Sequence, residues 1–163
     1  MIKLVEKIFF VVLFGLIILQ MTFIPQSFFY QVIPNIVLSL LIALSLLGKI
    51  RSVFIMAFLA GLILDITSGL PFGVITASLI LAVFTVNALS SKFLKSPEFF
   101  ILAPIGFLGV AVYNLALLIL ANISNSSAVL EEIGQVFFMI ILKVIVELVL
   151  ALIFYGFILR LRN

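Results

Sequence analysis

The sequence predicts an all-α integral membrane fold of six transmembrane helices with both termini on the cytoplasmic side, and three observations predict it. The first is composition. Of the 163 residues, 66% are hydrophobic and 9% are charged, whereas a soluble domain holds about 45–50% apolar and about 25% charged residues. So few charges cannot cover a water-soluble globule. The second is that the apolar residues gather in six stretches. A helix needs roughly 20 mainly apolar residues to cross about 30 Å of hydrocarbon, and six such spans use about 120 residues. The expectation is therefore one polytopic membrane domain over residues 1–163. The third is the placement of positive charge, which follows from the elements.

The first stretch, Ile8–Ile24, comes after Lys3 and Lys7 and could pass for a secretory leader. Its length is that of a span, however, and Gln20-Met21-Thr22-Phe23 lacks the small residues of a cleavage site. The second, Phe28–Leu47, contains Pro34. Its strongly apolar part, Ile36–Leu47, is too short to cross alone, so Pro34 must kink or start the helix. Ile50–Ile66 and Phe72–Leu89 follow. The fifth, Phe99–Ala121, holds Pro104, Gly106 and Gly109, which predict a kink or loose packing near its inner half. Val136–Leu159 is the sixth. No Trp is present, so interface anchoring falls to Tyr30, Tyr155 and the many Phe residues.

Lys and Arg in short loops stay on the cytoplasmic side. Lys3, Lys7, Lys49, Arg51, Lys92, Lys95, Arg160 and Arg162 all fall on one face if six helices alternate. The other three connections carry Glu131 and Glu132 and no Lys or Arg. Five or seven spans break that pattern. The net charge of +3 thus points to membrane lipid rather than nucleic acid as the partner of the basic residues.

Several chemistries are excluded by residue type. Cys and His are absent, which removes disulfides, Cys/His zinc sites and histidine proton relays. Asp65 is the only Asp, so neither an Asp-pair protease nor a metal site built on several Asp residues can be assembled. No catalytic, cofactor-binding or metal-binding residue is assigned, no cofactor is expected, and the chain reads as a non-enzyme.

The most informative segment is residues 57–73. Ala57 and Gly61 lie four apart, so they share a helix face and let a neighbouring backbone come close. Asp65 is one turn further on that face. Thr67, Ser68 and Gly69 supply turn chemistry, Pro71 suits the first turn of the next helix, and Gly73 closes the segment. Helices three and four are thus expected to form a tight antiparallel hairpin with Asp65 near its outer mouth. Asp65 has two readings. It is a water-facing carboxylate capping helix four, or a buried polar anchor between helices or for a partner.

Lys143 and Glu147 lie one turn apart inside the sixth stretch, where a charge costs roughly 2.5–3.5 kcal/mol on insertion scales. They read as a self-neutralising pair, the alternative being a relay or a substrate ligand. Asn35, Asn87 and Asn114 are the candidates for hydrogen bonds between helices. Most intramembrane Ser and Thr are expected to bond their own helix backbone.

The arrangement resembles the rod shape-determining protein MreD family over nearly the whole chain in length and helix count. The resemblance includes Leu19-Gln-Met-Thr-Phe-Ile-Pro25, Pro34-Asn35, Gly61-Leu-Ile-Leu-Asp65 and Ser68-Gly69-Leu-Pro-Phe-Gly73. Where the family often has an Asp after the Pro of helix two, this chain has Asn35. The resemblance implies a non-catalytic scaffold of the bacterial cell-elongation machinery in the inner membrane. Its implied partners are an MreC-like membrane protein and the peptidoglycan synthases of elongation. It also implies a fold similar to the substrate-binding subunits of energy-coupling-factor vitamin transporters, and the alternative function is such a transporter subunit. Those subunits carry an Ala-x-x-x-Ala docking face on helix one, where this chain has Gly15 alone.

Overall fold

A computed structural model of the chain contains six helices: α1 (Ile2–Phe23), α2 (Ile36–Leu46), α3 (Ile50–Thr67), α4 (Val74–Phe93), α5 (Phe99–Ser124) and α6 (Ile133–Arg162). It describes residues 2–23, 34–47, 50–68, 70–93, 99–124 and 133–162, and no strand occurs among them. Side chains are described over 10–22, 34–47, 51–68, 70–92, 102–120 and 141–160. Within these limits three helical segments are long and apolar enough to cross a membrane: Val74–Lys92, Leu102–Leu120 and Ile141–Arg160. Phe10–Thr22 and Ile36–Leu46 are apolar but shorter. Tyr30 and the first part of the expected second span lie outside the described residues, as do Glu131 and Glu132.

α2 is the centre of the bundle. Every residue from Val37 to Leu46 is buried, and α2 touches each of the other five helices. Its sequence accounts for this, because a helix that is apolar all round has no face for water. Its two serines do not spoil the pattern. Ser45 donates to Leu41 O at 2.8 Å, and Ser39 donates to Asn35 O at 3.2 Å and to Glu147 O at 3.0 Å. Eleven helical residues rise only about 16 Å, roughly half the thickness of a hydrocarbon layer. α2 therefore begins inside the bundle, and its N-terminal amides need partners there.

The other helices surround α2 in the order α1, α3, α4, α5, α6, each touching the next. Among the described residues α1 and α6 do not touch each other. Each ring helix turns one stripe inward. α6 buries Val144, Glu147, Ala151, Tyr155 and Ile158 and exposes Ile145, Val149, Ile153 and Phe157. α1 buries Leu13 and Ile17 and exposes Val11, Phe14 and Ile18. The outward faces are as apolar as the inward ones.

Three expectations change. α5 continues as one helix through Pro104, and the loose packing expected of it does not hold at Gly109. A Cβ there would collide with Val86 Cγ2 and meet Ile42 Cδ1 at 3.6 Å, so the missing side chain is what lets α4 and α2 close on α5. Pro71 sits in the turn before α4 rather than in its first helical turn. Gly73 has φ +96°, a left-handed conformation incompatible with helix, so α4 starts only at Val74. Tyr155 is buried in the core instead of anchoring an interface, because it falls on the inward stripe of α6.

Candidate functional site

Two buried carboxylates organise the polar groups of the bundle. The first is Asp65, on the face of α3 that also carries Ala57 and Gly61. Ala57 is fully buried. A Cβ built on Gly61 would lie 2.5 Å from Thr76 Cα, so no side chain separates α3 from the α4 backbone here. That approach carries Asp65 to the start of α4, where the first amides have no intrahelical acceptor. Asp65 Oδ1 accepts from Ile75 N at 2.8 Å. Oδ2 accepts from Thr76 N at 3.1 Å and from the Thr76 hydroxyl. A carboxylate at a helix N-terminus is also favoured by the macrodipole.

The turn leading there is built from local bonds. Ser68 donates to Asp65 O at 3.2 Å and accepts from Leu70 N at 3.2 Å. Pro71 O accepts from Val74 N at 3.2 Å, and Gly73 O accepts from Ala77 N at 2.9 Å. Gly69 lies outside the described residues. Asp65 is only 3% exposed, which corrects its water-facing reading. It caps α4, but from within the packed interface that Gly61 makes possible.

The second carboxylate, Glu147 of α6, is 0% exposed and meets the N-terminus of α2. Asn35 is extended, with φ −77° and ψ 94°, and its side chain accepts from Leu38 N at 3.0 Å. Asn35 N donates to Glu147 Oε1 at 2.8 Å. Val37 N donates to Gln20 Oε1 of α1 at 3.3 Å. Three amides at this helix start are thus satisfied by side chains from three elements, as an end buried away from water requires. α5 completes the cluster. Asn114 Nδ2 donates to Glu147 Oε2 at 3.2 Å and to Val110 O at 2.9 Å, and Asn35 Nδ2 donates to the Tyr113 hydroxyl at 2.9 Å.

Lys143 Nζ lies 3.9 Å from Glu147 Oε1. That is the outer limit of an ion pair, and the closer partners of Glu147 come from α2 and α5. Of the three asparagines, Asn35 and Asn114 bond across helices. Asn87 does not, contrary to expectation. Its Nδ2 donates to Val83 O of its own helix at 3.0 Å, and its buried Oδ1 has no partner, because no donor faces it from a neighbouring helix. Gln20, Thr76 and Tyr113 escaped the sequence reading as cluster members. The adjacency of Tyr113 to Asn114, and one amide inside the apolar run of α1, were the available signals.

The two clusters tie different helices: α3 to α4 through Asp65, α5 and α6 to the start of α2 through Glu147, and α1 to that same start through Gln20. Chemically both are carboxyl-to-amide caps in which each side-chain oxygen accepts from a donor of the chain itself. Among the described residues no group of three acidic, His or Cys side chains could share a metal ion. The chain matches no family model, no curated protein and no solved structure.

Proposed function

We propose that this chain is a six-span protein of the bacterial inner membrane, with both termini cytoplasmic, and that it acts as a non-catalytic scaffold of cell elongation, as its resemblance to the MreD family implies. The observation that carries this reading is the commitment of both buried carboxylates to helix N-termini. A catalytic or substrate-binding acid needs a face accessible to its ligand. Asp65 and Glu147 are instead 3% and 0% exposed and accept from Ile75, Thr76, Asn35 and Asn114. Surface for other molecules is then supplied by the outward apolar faces of the ring, which suit lipid and the spans of partner proteins. Exposed Val11, Phe14, Ile145 and Val149 belong to these faces. The one-sided distribution of Lys and Arg supports the orientation. By the same resemblance its partners are an MreC-like membrane protein and elongation peptidoglycan synthases.

The test is to express the tagged chain in its native cells, wash the membranes with alkaline carbonate, cross-link, extract in mild detergent and identify what co-purifies by mass spectrometry. Retention in the washed membrane together with recovery of cell-elongation proteins is expected. Recovery of ATPase subunits with a bound small molecule would replace the scaffold by the transporter reading.

A further inference from the structure

Arg51 and Lys92 are exposed cations on one hairpin. Arg51 stands in the first turn of α3 and Lys92 in the last turn of α4. The antiparallel contact of Gly61 with Thr76 fixes their relative depth. Equal rise from that contact puts Arg51 level with Val86–Asn87 and Lys92 about 8 Å further out. Both therefore lie at the end of the hairpin opposite Asp65.

Among the described residues neither cation is paired with an acid. The Lys143–Glu147 pair is the one salt bridge among the described residues. Lys92 suits the C-terminal end of its helix dipole, so its position needs nothing further. Arg51 is different. A cation in a first turn opposes the dipole, and no acidic residue occupies that turn. An external anion beside Arg51 would satisfy both the guanidinium and the positive helix end.

Below these cations the same hairpin turns apolar side chains outward. Ile55, Phe58 and Leu59 of α3 and Leu81 and Phe84 of α4 are all exposed. The α3 residues continue the stripe headed by Arg51 at helical spacing. An occupant that fits both parts is an amphiphile with an anionic head and hydrocarbon tails.

We infer that this α3–α4 face binds an anionic phospholipid of the phosphatidylglycerol type, with its phosphate held by Arg51 and Lys92 and its acyl chains laid along the exposed apolar stripes. The inference rests on the membrane reading above. It adds a site with a preferred lipid, whereas the membrane reading requires only hydrocarbon.

The test uses the full chain purified in a non-ionic detergent and titrated with phosphatidylglycerol, phosphatidylethanolamine or inorganic phosphate, with bound lipid read by native mass spectrometry. Phosphatidylglycerol should be retained in preference to phosphatidylethanolamine, and retention should fall about five-fold for each charge removed by Arg51→Gln or Lys92→Gln. Arg51→Lys should keep most of it. Arg160→Gln, on a helix that touches neither α3 nor α4, should leave it unchanged. Should Arg51→Gln fail to fold, Lys92→Gln at the exposed helix end carries the same comparison. Equal retention of the two lipids, an equal loss in Arg160→Gln, or displacement by millimolar phosphate each overturns the site. Carbonate extraction run in parallel separates the two readings. A chain released by carbonate sinks the membrane reading as well, while a chain that stays membrane-bound without lipid preference sinks only this inference.

Discussion

The backbone amide of Asn35 donates to Glu147 Oε1 at 2.8 Å across 112 positions of sequence, so the start of one helix is capped by an acid from another. This bond accounts for how an eleven-residue helix can begin inside the bundle. Its N-cap amide meets the Glu147 carboxyl, and the amides of Val37 and Leu38 meet Gln20 and Asn35, where water would otherwise be needed.

Replacing Glu147 should therefore expose which of its contacts matter. Glu147→Leu leaves Asn35 N and Asn114 Nδ2 facing an apolar side chain. Asn35 N then has no acceptor and Asn114 Nδ2 keeps only Val110 O, which predicts a loss of about 1–3 kcal/mol or somewhat more. Glu147→Gln keeps one acceptor for Asn35 N and should lose roughly half as much. Lys143→Met, which removes a partly exposed partner at 3.9 Å, should cost less than Glu147→Leu, because Asn35 and Asn114 still hold the buried carboxyl. Unfolding of the three variants in one detergent measures the order, and a Lys143 effect as large as that of Glu147→Leu would make the ion pair the main contact after all.

The Asp65–Thr76 contact invites a double-mutant cycle. Asp65→Ala removes the acceptor of two amides and a hydroxyl, and Thr76→Val removes only the hydroxyl. Residues joined in one buried network couple by about 0.5–3 kcal/mol, so the double variant should be more stable than the sum of the single losses predicts. Additive losses would place the value of Asp65 in its backbone bonds alone.

Much of this was legible in the sequence, and what was missed has a common cause. Ala57, Gly61 and Asp65 announced the α3–α4 hairpin because their spacing fixes a shared face and a close approach. Helix type and approximate extent followed from apolar run length. The partners of Glu147 were invisible for the opposite reason. Spacing four pointed to Lys143 on the same helix, whereas Asn35 and Asn114 reach it from segments far apart in sequence, where no local period applies. Asn87 looked equivalent to Asn114 by composition and depth. They differ only in whether an acceptor stands across the interface, which is a property of packing.

Three glycines separate crowding from backbone strain. Gly61→Ala places a methyl against Thr76 Cα, an atom of the main chain that cannot turn aside, and overpacking of this kind predicts a loss of about 1–3 kcal/mol. Gly73→Ala meets nothing within 4 Å, but its φ of +96° is one that alanine resists. A loss of about 1 kcal/mol follows from conformation alone. Gly15→Ala meets nothing within 4 Å and has no positive φ, so it should be neutral or gain up to about 1 kcal/mol of helix propensity. Melting of the three alanine variants should rank them in that order. A Gly15 variant as damaged as Gly61 would mean that the open side of α1 is occupied by another chain.

Asn87 should be improvable. Its Oδ1 is buried without a donor, while its Nδ2 goes to Val83 O of its own helix. The Val83 carbonyl, in mid-helix, already has its backbone partner, so the side-chain bond adds little. A buried acceptor left unpaired costs about 1–3 kcal/mol. Asn87→Leu, of similar size, removes that acceptor and gives the neighbours apolar contact in its place. The variant should unfold at a higher temperature than the wild type by an amount equivalent to about 1 kcal/mol. Asn87→Asp, which puts a charge where no donor waits, should be the less stable of the two by a wide margin. A destabilised Asn87→Leu would mean that a donor from outside the chain reaches Oδ1 in the membrane, and Asn87→Gln or Asn87→Ser would then be the variants with which to find it.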